Sequence, residues 1–159
     1  MKVTLNEAEQ RLARFVAAKR NEAAATAGRT NCRRADATDQ EINVEGIAAE
    51  IALCKLLNCY PDLETAGPLP EYDALARTGV TVDVKATHYP NGRLLALPWK
   101  AGKAPDIYAL MVGKFPTYRC AGIMRADELL APERLTDLGH GKTYAAEQAE
   151  LDDFRKALA

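Results

Sequence analysis

Apolar residues recur at helical spacing in two stretches of the first sixty residues. The first stretch begins with Thr4 and Glu7, which have the spacing of a capping box. The sequence therefore predicts a helix over about residues 4–25. The apolar positions of this helix are Leu5, Leu12, Phe15 and Val16. The second stretch predicts a helix over about residues 43–58. Its apolar positions are Val44, Ile47, Ala48, Ile51 and Cys54.

Beyond these helices the hydrophobic spacing changes to that of strands. Residues 79–87 alternate, with Val80, Val82, Val84 and Ala86 on one side and polar residues on the other. The continuous apolar run at 107–113 predicts a buried strand, and residues 118–124 are expected to pair with it as a hairpin. Shorter elements are predicted from weaker patterns. They are a strand at 63–65, a helix at 99–103 and a C-terminal helix over about 147–158.

The order of these elements predicts the fold class. Helices, strands, a short helix, further strands and a final helix indicate an α/β fold, in which one mixed β-sheet is sandwiched between helices. The chain has no internal repeat and no stretch with the composition of a linker. We therefore predict a single domain over residues 1–159, with its core at about 43–125.

Composition places the chain among soluble globular proteins. It is 48% hydrophobic and 27% charged, and it has no apolar run of the roughly 18 residues that a membrane span requires. The N-terminal residues lack the hydrophobic region of a signal peptide, so a cytoplasmic protein without a membrane partner is predicted. The four cysteines are expected to be reduced thiols. Cys54 and Cys59 lie close in sequence, but no second close pair completes a zinc site.

Charge is distributed unevenly along the chain. The net charge of −1 argues against a protein that coats nucleic acid through charge alone. Residues 60–84 carry five acidic groups and one basic group, whereas residues 85–125 carry seven basic groups and the single acid Asp106. An acidic segment suited to a metal ion is thus followed directly by a basic segment suited to a polyanion.

Three acidic residues and one lysine form the candidate site. Asp83 and Lys85 project from the same face of the predicted strand, because strand side chains alternate, and Asp73 lies on the strand before it. Carboxylates hold hard divalent cations, and a neighbouring amine can position a water molecule. Glu50 borders the buried face of the second helix, where its charge requires a partner. The alternatives are structural: a surface ion pair, a turn-edge aspartate and a helix salt link.

The series Glu50, Asp73, Asp83 and Lys85 resembles the PD-(D/E)xK nuclease superfamily over about residues 43–113. The wider layout is similar to small stand-alone members found in phages and mobile elements. Tyr72 stands where the motif has proline, and the acid before the lysine is Asp rather than Glu. The resemblance implies a restriction-endonuclease-like fold.

The resemblance also implies a role for each residue. Asp73 and Asp83 would ligate Mg²⁺ or Mn²⁺, with the Val84 carbonyl as a further oxygen ligand. Lys85 would orient the attacking water and stabilise developing charge. Glu50 would complete the site or assist a second metal ion.

The function that follows is a Mg²⁺-dependent deoxyribonuclease, an endonuclease that hydrolyses DNA phosphodiester bonds. The alternatives are a structure-specific nuclease for junctions or ends, and a non-catalytic DNA-binding module that retains the fold. DNA is the expected partner, and a homodimer is considered because a duplex has two strands to cut. The residues considered for nucleic-acid binding are Arg33, Arg34, Lys100 and Lys103.

Overall fold

Two long helices make up most of the N-terminal part of the protein. The computed structural model describes residues 1–26, 38–65, 71–139 and 141–157. Within these residues the first helix, α1, spans Glu7–Thr26 and the second, α2, spans Asp39–Leu57. They pack against each other and agree with the two helices predicted from apolar spacing.

The first helix begins later than predicted because its cap is a different residue. Asn6 accepts a hydrogen bond from the Glu9 N–H (2.9 Å), and the Glu9 carboxylate accepts one from the Asn6 N–H (2.7 Å). This is a capping box two residues after the predicted one. Thr4 instead ends a short strand, β1 (Lys2–Thr4), where it pairs with Thr117.

The strands form two sheets rather than one. In chain order they are β1, β2 (Ala74–Leu75), β3 (Thr81–Thr87), β4 (Leu94–Ala96), β5 (Ile107–Lys114), β6 (Thr117–Arg125), β7 (Leu135–Asp137) and β8 (Lys142–Ala146). The larger sheet is mixed, with the order β1-β6-β5-β3-β2, and β3 and β5 are its parallel pair. The smaller, antiparallel sheet has the order β4-β8-β7.

The larger sheet is covered on both faces, but helices dominate only one of them. Ala109 and Met111 of β5 belong to the core formed with α1 and α2, whereas Tyr108 and Leu110 point to the opposite face. That opposite face packs against the smaller sheet and a one-turn helix, α3 (Ala126–Leu129). The mixed α/β class is therefore confirmed, while the prediction that helices cover both faces was wrong.

The C-terminal segment also differs from its prediction. Instead of a helix over 147–158, the chain makes a 3₁₀ turn at Gln148–Glu150 and a short helix, α4, at Phe154–Ala157. Between them Asp152 exchanges two backbone hydrogen bonds with Ile123, of 2.8 and 2.9 Å, which requires extended backbone. Gly122 allows this approach, because a Cβ there would lie 2.6 Å from the Leu151 Cβ.

Two short segments, at residues 63–65 and 99–103, differ from their predicted structures. The predicted strand at 63–65 is absent from the described residues 62–65, and Pro61 makes an isolated bridge with Ala74 instead. The short helix expected at 99–103 is a 3₁₀ helix at Pro98–Gly102. Among the described residues, no helix is both long enough and apolar enough to cross a lipid bilayer.

One polar contact aligns the strands that carry the candidate site. The Asp106 carboxylate, just before β5, accepts hydrogen bonds from the Thr81 N–H (2.8 Å) and the Thr81 hydroxyl (2.7 Å). The Asp106 N–H donates to the same hydroxyl oxygen (2.9 Å). The starts of β3 and β5 are thereby tied together, which places Asp83 beside Tyr108 in the parallel register.

Candidate functional site

The β2–β3 hairpin brings Asp73 and Asp83 to the same edge of the larger sheet. Its turn is closed by hydrogen bonds between Ala76 and Val80 and between Gly79 and Ala76, and Gly79 adopts a φ of +86° that favours glycine. The last strand pair is Ala74 with Val82. Asp73 therefore lies just before the start of β2, opposite Asp83 on β3.

Asp83 and Lys85 form an ion pair on one face of β3, as their spacing predicted. The Asp83 side chain is only 2% exposed, whereas the Lys85 side chain is 32% exposed. The ammonium therefore lies between a buried carboxylate and solvent. The alternative was a surface ion pair, but the observed pair has a buried carboxylate, and its position leaves Lys85 accessible to a ligand from outside.

Asp73 is held against the backbone of β3. Its carboxylate accepts a hydrogen bond of 2.7 Å from the N–H of Val84. The N–H and C=O of one strand residue point to the same edge, so the Val84 carbonyl also faces the edge beyond the start of β2. Two carboxylates and one backbone carbonyl thus share this part of the sheet edge.

Glu50 reaches the same region from the helical layer. It is buried on α2, and its carboxylate lies 3.4 Å from the guanidinium of Arg20 on α1. Arg20 also contacts the Asp62 carboxylate at 3.2 Å. Burial raises the pKa of Glu50 to about 8, and the charges of Asp73 and Asp62 add to the rise while Arg20 opposes it.

This raised pKa predicts that the protein is less stable at pH 8 than at pH 5. The stabilising contribution is fully present below the carboxyl's ordinary value of 4.5 and is lost as the pH rises through about 8. Glu50→Gln should flatten that dependence, with an effect on the order of a few kcal/mol in the free energy of unfolding. Urea denaturation at pH 5 and at pH 8 measures the free energy of unfolding of the wild type and of the variant.

The matched control for this measurement is Glu128→Gln, because Glu128 is an exposed carboxyl. The control should keep the wild-type pH dependence. If Glu50→Gln also keeps it, then Glu50 is ionised in the folded protein across this range and the assigned pKa is wrong.

Tyr108 is a site residue that the sequence analysis missed. Its side chain is fully buried, and its hydroxyl has no hydrogen-bond partner among the described residues. The Lys85 ammonium lies 5.8 Å from the centroid of its ring. Burial, with smaller contributions from the charges of Asp83 and Asp73, raises the pKa of Tyr108 to about 12. A tyrosine in an otherwise apolar strand was the available signal.

The structure therefore brings together most of the predicted catalytic residues, although without a compact metal cage. Asp73, Asp83, Val84 and Lys85 share the sheet edge, and Glu50 approaches it from α2. Across the described residues, no group of three His, Cys, Asp or Glu side chains is arranged to hold a metal ion. The carboxylates are instead engaged by Lys85, by the Val84 N–H and by Arg20.

The residues considered for nucleic-acid binding are less informative. Arg33, Arg34 and the side chain of Lys100 lie outside the described residues. Lys103 forms an ion pair of 2.9 Å with Glu71, and both side chains are more than half exposed. Such a surface pair contributes little to stability.

Comparison with known proteins gives one match. A family model described as a family of unknown function (DUF5843) matches residues 2–133, which include the whole site described above. No curated protein matches the chain, and no solved structure matches it.

Proposed function

The chain belongs to the DUF5843 family, and we propose that it is a Mg²⁺- or Mn²⁺-dependent deoxyribonuclease of the PD-(D/E)xK type, acting as an endonuclease. The observation that carries the proposal is the convergence of Asp73, Asp83 and Lys85 at one sheet edge, beside the unpartnered hydroxyl of Tyr108. A buried hydroxyl without a partner supports a ligand at this position, because such groups are ordinarily hydrogen-bonded. The proposal includes a restriction-endonuclease-like arrangement of the larger sheet on α2.

The donor set fits Mg²⁺ or Mn²⁺ better than it fits zinc. The atoms at the edge are oxygens of Asp73, Asp83 and the Val84 carbonyl, and hard cations prefer oxygen. Mg²⁺ keeps several waters and is commonly held by only one or two carboxylates, so a cage of three is not required. When bound, the cation would neutralise charge on the phosphate and make a bound water a better nucleophile.

The remaining residues have the chemistry needed to bind a phosphodiester and assist its hydrolysis. Lys85 presents an ammonium on the solvent side of Asp83, where it can contact a phosphate oxygen and orient a water molecule. Tyr108 adds a buried hydroxyl that has no hydrogen-bond partner among the described residues. Burial raises the pKa of Glu50, which reduces the negative charge that this carboxyl would present to a phosphate.

The test is divalent-metal-dependent cleavage by the full chain. Supercoiled plasmid, linear duplex, single strands and a four-way junction are incubated with Mg²⁺ or Mn²⁺, and parallel reactions contain EDTA. We expect the plasmid to be nicked or linearised with metal and to stay intact with EDTA. Cleavage of circular DNA establishes endonuclease action, and strong preference for the junction would favour the structure-specific alternative. Absence of cleavage on every substrate with both metals would refute the proposal.

One observation favours a second candidate, a non-catalytic DNA-binding module. Asp83 is already paired with Lys85, and this ion pair competes with the use of the carboxylate as a metal ligand. A module of this kind would bind DNA with strong salt dependence and cut none of the substrates.

Light scattering of the DNA complex would also test the homodimer, since one site per copy requires two copies to cut both strands.

A further inference from the structure

A basic hollow lies beside the candidate site, at the end of the larger sheet. It has a volume of about 240 Å³. Its polar lining side chains include Lys2, His88, Thr117 and Arg119, and Val112 also lines it. No acidic side chain lines it among the described residues. An anion is therefore the ligand that this hollow suits by charge.

The cations of the hollow differ from most others in the described part of the chain. The described basic residues are commonly paired with a carboxylate. These pairs include Arg11–Glu7, Lys19–Glu22, Lys55–Glu9, Arg93–Glu147, Arg125–Asp127 and Arg134–Glu150. Lys2 and Arg119 make no ion pair with the described residues. Their charge is thus not compensated locally, which favours a ligand that supplies negative charge.

Arg119 is also held in place by neutral groups. Its guanidinium donates to the Pro90 carbonyl (3.1 Å) and to the side-chain oxygen of Gln148 (2.8 Å). The Gln148 amide in turn donates to the carbonyls of Pro90 and Gly92, at 2.9 and 2.8 Å. This network positions the guanidinium without neutralising it. A preorganised cation loses less conformational entropy when it binds an anion.

The side chains of Lys2 and Arg119 lie on the same face of the larger sheet as Lys85. Neighbouring residues across a sheet point to one face, and the register runs from Thr87 to Val112, then to Arg119 and Lys2. Lys85 lies two residues before Thr87 on that face. From strand rise and spacing, Lys85 and Arg119 are about 12 Å apart along the sheet. A single DNA strand can span both positions within a few nucleotides.

We propose that this hollow binds backbone phosphates of DNA that flank the phosphate at the candidate site, with Lys2 and Arg119 as the contacting cations. The inference rests on the proposed function for its ligand, because Lys2 and Arg119 lie within the length of a few nucleotides from Lys85. It adds a substrate-binding surface outside the residues that would perform cleavage.

The experiment measures duplex DNA binding by fluorescence anisotropy over a range of NaCl concentrations, in EDTA so that no cleavage occurs. The variant is Lys2→Gln/Arg119→Gln. Each phosphate contact contributes about 0.9 to the slope of log affinity against log salt concentration, so the double variant should lower the slope by about 1.8. We expect at least about a tenfold loss of affinity at low salt from the two lost contacts.

The matched control is Arg77→Gln/Lys142→Gln, which removes two exposed charges from outside the hollow. It should keep the wild-type slope, and thermal unfolding of both double variants checks that they fold. If Lys2→Gln/Arg119→Gln binds DNA with the wild-type slope, the inference is wrong even when cleavage is normal. Variant-sensitive binding without any cleavage upholds the inference and refutes the nuclease.

Two further arms separate DNA from other sources of phosphate. Inorganic phosphate at matched ionic strength should not displace the duplex more than NaCl does, and displacement of all bound DNA would indicate a site for free phosphate instead. An RNA duplex of equal length should bind no more tightly than DNA. Tighter, variant-sensitive RNA binding would overturn the assignment to DNA.

Discussion

Replacing Asp83 by asparagine is expected to reduce Mg²⁺-dependent DNA cleavage by about 10³-fold or more. Asparagine keeps the shape of the side chain but removes its charge, and a neutral amide is a weaker ligand for a hard cation. Asp83 is also the buried partner of Lys85, so the substitution removes the negative charge beside the Lys85 ammonium as well. Plasmid nicking under single-turnover conditions measures the change.

The control for this variant is Asp127→Asn, which removes an aspartate that is 66% exposed and paired with Arg125. It should cut DNA at the wild-type rate. Mn²⁺ binding measured by calorimetry gives a second readout, which should be lost in Asp83→Asn and kept in the control. Wild-type cleavage by Asp83→Asn would remove this residue from the site, provided that the wild-type chain itself requires metal.

Lys85→Ala is expected to lower the cleavage rate by about 10²- to 10³-fold with little change in Mn²⁺ affinity. The ammonium would act on the phosphate and the water rather than on the metal, so the effect should fall on kcat more than on KM. Lys85→Arg should recover only part of the activity, because a planar guanidinium does not replace a compact point charge.

Lys142→Ala serves as the matched control, since this lysine lies on β8 of the smaller sheet. It should leave both kcat and KM unchanged. A Lys85→Ala variant that loses metal affinity and activity together would instead indicate that the ion pair with Asp83 organises the site. In that case the lysine has a positioning role and not a direct one.

Local spacing was enough to predict several parts of this fold. The helix α2 follows from one apolar stripe, and its actual start at Asp39 is explained by a capping box of Thr38 with Glu41. The shared face of Asp83 and Lys85 follows from the two-residue period of a strand. These features depend on residues a few positions apart, so the local sequence is sufficient to predict them.

Other parts depended on contacts between distant segments. The strands β7 and β8 are short, and they exist as a sheet because β4 pairs with β8 across about fifty residues of chain. The C-terminal segment is extended at Asp152 because it pairs with Ile123, although its local composition favours a helix. The secondary-structure propensity of one short sequence segment does not contain information about its pairing with a distant strand.

The amino-acid order alone thus places α1, α2, the principal strands and the acid-and-lysine face of β3, since each arises from periodicity within a single segment. Folding in three dimensions supplies the remainder: the Arg20 contact with Glu50, the buried Tyr108 next to Asp83 in the strand register, and the basic hollow of Lys2 and Arg119. These features join residues that are far apart in the chain. Their proximity is set by strand register and by the packing of the layers. Both depend on several segments of the chain and cannot be predicted from any one of them.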